Sequence, residues 1–409
     1  MSVTKSPPKG GLFLVETLHL SYARGMKNPL SEKIIFLVML AALPGLSACG
    51  QGDKFDPAEE ESSVSATMTA SSSELVVKQP VTFGDLHSES LDPACAAVPL
   101  QIPPAKDQPS AEQVKALRGK CDVEALYYGI GAAPDYLTAR MCAYADLDNE
   151  DFPTISGSDV LTMIYANGQG VEKNIPLARY FSCRSYAAPA EYELRLAHLS
   201  EMEKSDKPFD FCDDITSGLM MGVCSRLSQR VADVDYEKKW DKLSGQWKHE
   251  EKARLVLLKK AAQEYFENSA GEEQDMSGSG RVSFYYDMFS QLQDKFIGDM
   301  SLFENGELPR ASDEDFSKAD AALNLTYSRL IRELKESEAR ALADKSMYGD
   351  FGSIKADGIR TTQRSWLAYR DAWAAFGRMR YPGVSENAWK DYFTRQREKD
   401  LREILSLKL

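Results

Sequence analysis

The chain has 409 residues, with 62 acidic against 49 basic side chains and a formal net charge of −13. Phosphate backbones reward lysine and arginine, so this balance excludes nucleic acid as a partner and favours cationic ones through long-range steering. Only four histidines are present, and the seven cysteines show no paired C-x-x-C spacing, so neither a metal site nor a cofactor is expected.

The first element is an apolar run, Ile34 to Leu43, of signal-peptide length and too short to span a bilayer. Lys27 and Lys33 supply the positive flank, and Met26-Lys27-Asn28 opens an ordinary signal, so Met26 is the expected start. Leu46-Ser47-Ala48-Cys49 closes the run and resembles the lipobox of bacterial lipoproteins. The resemblance implies acylation of the Cys49 sulfur, cleavage before it, and a membrane anchor through the acyl chains. Gly50 and Gln51 lack the aspartate of inner-membrane retention, and by resemblance to enterobacterial sorting rules this implies a cell-envelope protein on the outer membrane, facing the periplasm. Residues 1–48 hold five basic and two acidic side chains, so their loss would take the charge from −13 to −16.

Residues 49–110 read as the lipidated cysteine and a disordered tether, because AEEESSVSATMTASSS has too little apolar area to offset ordering entropy. Six cysteines remain once Cys49 is set aside: Cys95, Cys121, Cys142, Cys183, Cys212 and Cys224. In an oxidising compartment they read as up to three disulfides, and sequence does not choose the pairing. Cys95 is placed to pin the end of the tether to the folded body, and everything after Cys224 must be held by packing alone.

Residues 111–205 read as short amphipathic helices. Leu161, Ile164 and Tyr165 share one helical face, Asn167, Gly168 and Gly170 make a stop and turn, and Pro176 opens the next helix, which carries Ala178 and Phe181. Tyr165, Gly168, Gly170, Val171, Ala178 and Tyr180 resemble one unit of the Sel-like repeat, a relative of tetratricopeptide repeats. The segment from Ala190 to Leu199 is a candidate further unit.

From Phe209 onward the pattern is almost all helix. Asp235 to Glu267 reads as one long charged helix with Trp240, Leu243, Trp247, Leu255, Leu258, Ala262 and Tyr265 on its apolar face. A Gly-rich break over 271–280 precedes a helix through Phe284, Met288, Leu292 and Phe296. Ser312 with Asp315 reads as an N-cap for a helix carrying Ala319, Leu323, Tyr327, Leu330 and Leu334. A further helix spans about 355–381 and ends at Pro382-Gly383, and Ser385 caps the last, with Trp389, Phe393, Leu401 and Ile404 inward. Lys260–Glu267 can be laid on Arg364–Asp371 at an offset of 104 residues, which reads as two antiparallel helical units, 206–300 and 311–409.

The sharpest motif is Gln363-Arg364-Ser365-Trp366-Leu367-Ala368-Tyr369-Arg370-Asp371. Preceded by Ala319-Asp320, Leu323-Asn324 and Tyr327, and followed by Thr394-Arg395-Gln396-Arg397, it resembles the LprI-like lysozyme-inhibitor family. That resemblance implies binding to a lysozyme-type muramidase and blocking it. Typical members carry a cysteine shortly after the Arg-Asp, where this chain has Trp373; Cys212 and Cys224 resemble the family's N-terminal cysteine pair instead. From the residues alone, Trp366, Tyr369, Arg370 and Trp373 read first as helix–helix core with an arginine–carboxylate pair, and second as a contact surface.

Catalytic signals are thin. His87, His198 and His249 show no ligand spacing, and no nucleophile elbow or P-loop stands in a suitable context. Glu272, Glu273 and Asp275 read as a charged, solvated loop in preference to the two carboxylates of a glycosidase. The expectation is therefore an all-α, non-enzymatic, lipid-anchored envelope protein. The alternative to muramidase binding is an envelope scaffold that holds another envelope protein through its helical repeats.

Overall fold

The computed structural model describes residues 92–147, 155–205 and 207–407. The signal segment, Cys49 and His87 lie outside the described residues. Those described form thirteen α-helices and no strand, so the chain is all-α. None of these helices is long and apolar enough to cross a membrane.

Seven short helices come first: α1 (Pro93–Ala96), α2 (Ala111–Leu117), α3 (Val123–Tyr128), α4 (Tyr136–Ala145), α5 (Gly157–Asn167), α6 (Ile175–Ser182) and α7 (Pro189–Glu201). Part of the expected tether, Asp92 to Ser110, lies on this body. Cys95 is bonded to Cys183, Asp107 is buried, and Arg140 donates to the Asp107 carbonyl at 3.1 Å. The remaining pairs are Cys121–Cys142 and Cys212–Cys224.

The α5–α6 hairpin forms as its pattern dictates. Gly168 ends α5 with φ +68°, a left-handed conformation that costs glycine least, and Gly170 repeats it. Tyr165 is buried, stacks on Phe181 with 5.9 Å between centroids, and shares a 2.7 Å hydrogen bond with Tyr144. Ala178 is buried in the same core, and Val171 packs at its edge.

The C-terminal body is built from α8 (Gly218–Ser244), α9 (His249–Glu272), α10 (Arg281–Glu304), α11 (Asp313–Ala343), α12 (Ala356–Arg380) and α13 (Glu386–Ser406). The single helix expected over 235–267 is interrupted. Ser244-Gly245 is a poor helix-propagating pair, and Glu251 accepts from the Lys248 N–H at 2.6 Å and starts α9 afresh. The earlier half of α8 escaped the periodicity because its buried face changes partner along its length. Met220, Val223 and Leu227 belong to the core of the short helices, while Tyr236 and Trp240 belong to the core of the six-helix body. The two cores are thus joined through one helix. Arg226 and Arg230 of α8 reinforce the junction by pairing with the buried Glu124 of α3.

The two expected helical units also share a core. One apolar cluster runs from Tyr236 to Ile404. Within it α8 packs on α10, α11 packs on α13, and α9 lies along α12. The equivalent residues of the sequence repeat, Tyr265 and Tyr369, stack on each other across this seam, with centroids 5.2 Å apart and planes at 25°.

Candidate functional site

The motif residues are carried by α11, α12 and α13. Ser312 caps α11 by accepting from the Asp315 N–H at 3.1 Å while Asp315 accepts from the Ser312 N–H at 2.9 Å. This fixes the register that turns Ala319 and Leu323 inward and leaves Asp320 at the edge. Asn324 is exposed and donates to Asp320 at 3.0 Å, and Tyr327 is partly buried against the core.

On α12, Trp366 is 2% exposed, Tyr369 6% and Trp373 0%, so the aromatic stripe is core. Arg370 lies over the Trp366 ring at 5.2 Å and bonds Asp371 at 3.0 Å, with Asp320 at 3.7 Å. Asp320 and Asp371 present their outer sides to solvent, at 42% and 56% side-chain exposure. Arg364 is exposed as well.

Gln363 and Arg397 face inward and meet a residue that the sequence placed in a solvated loop. Glu273, just beyond α9, is buried, and its carboxylate accepts from both terminal nitrogens of Arg397 at 2.5 and 2.8 Å. Gln363 Oε1 accepts from Arg397 Nε at 3.0 Å, and Ser269 Oγ donates to Glu273 at 3.0 Å. The Arg397 guanidinium also lies over the Tyr265 ring at 5.7 Å. Burial opposes its charge, but Glu273 and Tyr265 together hold its pKa above the usual arginine value. The solvated-loop expectation fails because Glu273 lies 124 residues before Arg397, and no local pattern links them. Glu272 belongs to α9, and Asp275 accepts from the Ser353 N–H at 2.9 Å.

Asp400, one turn beyond Arg397, has its pKa raised to about 6, first by burial and then by Glu273 and Glu403, against the lowering by Arg397 and Lys295. The fold therefore favours the protonated acid. Its stabilisation is complete below the unfolded value near 3.9 and is lost as pH rises through about 6. Asp400→Asn is expected to raise stability by about 2 kcal/mol at pH 7 and to have little effect at pH 4, read by urea unfolding at both. An equal effect at both pH values would contradict this environment.

Among the described residues no group of His, Cys, Asp and Glu is placed to hold a metal ion. His198 is tied to Asp214 at 2.9 Å. The arginine–carboxylate pair and the aromatic stripe are interior, and Asp320, Asn324, Arg364 and Asp371 form the rim that reaches solvent. The class defined is an all-α bundle with a polar, solvent-facing rim over a buried arginine–carboxylate keystone. Its C-terminal part, residues 304–401, matches the family model of the lysozyme inhibitor LprI. No curated protein and no solved structure matches the chain. The matched segment excludes Glu273, so the carboxylate that neutralises its buried arginine comes from the preceding helical unit.

Proposed function

We propose that this protein binds a lysozyme-type muramidase and blocks it. The match of residues 304–401 to an inhibitor family carries the reading, and the net charge of −13 supports it, since an acidic surface steers a cationic enzyme. The full chain is expected to slow muramidase lysis of a cell-wall substrate at low salt and less so at moderate salt, because exposed pairs are screened beyond about 10 Å at 0.1 M. Absence of inhibition across several lysozyme classes would reject the reading and leave an envelope scaffold in front.

The protein acts, on this proposal, from the outer membrane, anchored through Cys49 and facing the periplasm. The support is the lipobox-like Leu46-Ser47-Ala48-Cys49 after an apolar run. Cys49→Ala is expected to abolish incorporation of a labelled fatty acid, and equal labelling of the variant would remove the anchor from the account.

A further inference from the structure

The sequence repeat continues beyond the motif at the same offset. Phe289 then corresponds to Phe393, Gln293 to Arg397, Ala262 to Trp366 and Phe266 to Arg370. The packing repeats with it: α8 and α9 sit on α10 as α11 and α12 sit on α13. An Ala-Asp pair also recurs on the first helix of each unit, Ala232-Asp233 on α8 and Ala319-Asp320 on α11. The second unit fills the space between its helices from within. The Trp366 indole is buried there, and the Arg370 guanidinium lies over it beside Asp320 and Asp371. The first unit has neither group.

In their place lies a cleft of about 310 Å³, lined by Asp233, Tyr236, Ala262, Phe266, Phe289 and Gln293. Asp233 is held in position: its Oδ1 accepts from Gln229 at 2.7 Å and from Gln293 at 3.2 Å, and Gln229 also donates to Gln293 at 2.7 Å. Among the described residues no lysine or arginine pairs with Asp233. The cation on the cleft wall, Lys259, is bound to Glu237 at 2.6 Å and lies over the Tyr236 and Trp240 rings. An oriented carboxylate among aromatic faces complements a guanidinium, which is planar, stacks on rings and donates in a fork.

We propose that this cleft receives an arginine side chain presented by a protein partner, taking from outside the group that the second unit supplies from within. That the partner is a muramidase rests on the function proposed above; the chemistry of the cleft does not.

The test is calorimetric titration of the full chain with N-acetyl-L-arginine amide and with its uncharged citrulline counterpart. The arginine compound is expected to bind, and the citrulline compound to bind at least about tenfold more weakly, as befits loss of a charge-assisted hydrogen bond. Asp233→Asn is expected to cost at least about tenfold for the arginine compound alone. Ala262→Trp, which introduces the indole of the second unit, is expected to abolish binding while the helical circular dichroism and cooperative melting persist. Equal binding of the two compounds, or binding unchanged by Asp233→Asn, would overturn the proposal. A chain that binds the arginine amide but inhibits no muramidase keeps the cleft and loses the function proposed above. A chain in which Asp233→Asn and Ala262→Trp leave inhibition intact while abolishing arginine binding separates the cleft from the muramidase contact and overturns that assignment of the partner.

Discussion

Glu273→Ala is expected to destabilise the six-helix body by about 3–5 kcal/mol, the usual cost of removing one partner from a buried ion pair. Arg397 has 0% side-chain exposure and Glu273 4%, so neither charge can turn to water when the other is lost. Gln363 would remain beside the guanidinium, but a neutral amide cannot balance its charge. Glu273→Gln keeps a hydrogen-bond acceptor and should fall between the variant and the natural chain. Replacing both Glu273 and Arg397 with leucine should recover much of the loss, because the desolvation of two charges is removed along with their attraction. Urea unfolding with an unchanged m-value reads all three. A Glu273→Ala midpoint within about 1 kcal/mol of the natural chain would mean that water reaches Arg397 and that the pair is not a keystone.

The same pair marks where sequence reasoning stops. Elements specified locally were legible: the Ser312–Asp315 capping box, the stop before Pro382, the Ser385 cap and the inward Trp389, Phe393, Leu401 and Ile404 all stand where their spacing put them. So did the core assignment of Trp366, Tyr369 and Trp373, since aromatic side chains three and four residues apart share a helix face. Glu273 was not legible. Its charge argued for solvent, and the arginine that draws it inward is distant in the chain. The break at Gly245 was missed because Trp240 and Trp247, seven residues apart, keep helical spacing across it. The division into successive units was incomplete for a related reason. A repeat shows that two segments are alike, but not that Tyr265 and Tyr369 stack and merge the two cores. Of the disulfides, the resemblance pointed to Cys212–Cys224 and the tether position to a bond from Cys95, but the partners of Cys95 and Cys121 depend on which cysteines the helices bring within reach.

Trp366→Ala is the second large effect, at about 3–5 kcal/mol for deleting a buried tryptophan. The indole is 2% exposed and carries the Arg370 guanidinium on its face, so the variant loses packing and also the surface that holds Arg370 near Asp320 and Asp371. The first unit shows that the helical frame persists with alanine at the equivalent place, Ala262, where a cleft remains. The variant is therefore expected to fold, to melt at lower temperature and to open a matching cavity in the second unit. If the motif acts as scaffold, muramidase inhibition well below the melting temperature should survive in the variant, and loss on warming should track unfolding measured by circular dichroism. Substitutions at the exposed rim should behave in the opposite way: Asp320→Asn and Asp371→Asn should weaken inhibition with stability changed by less than about 1 kcal/mol, as for other exposed ion pairs. An unchanged melting temperature for Trp366→Ala together with lost inhibition would reverse these roles and make the indole itself the contact.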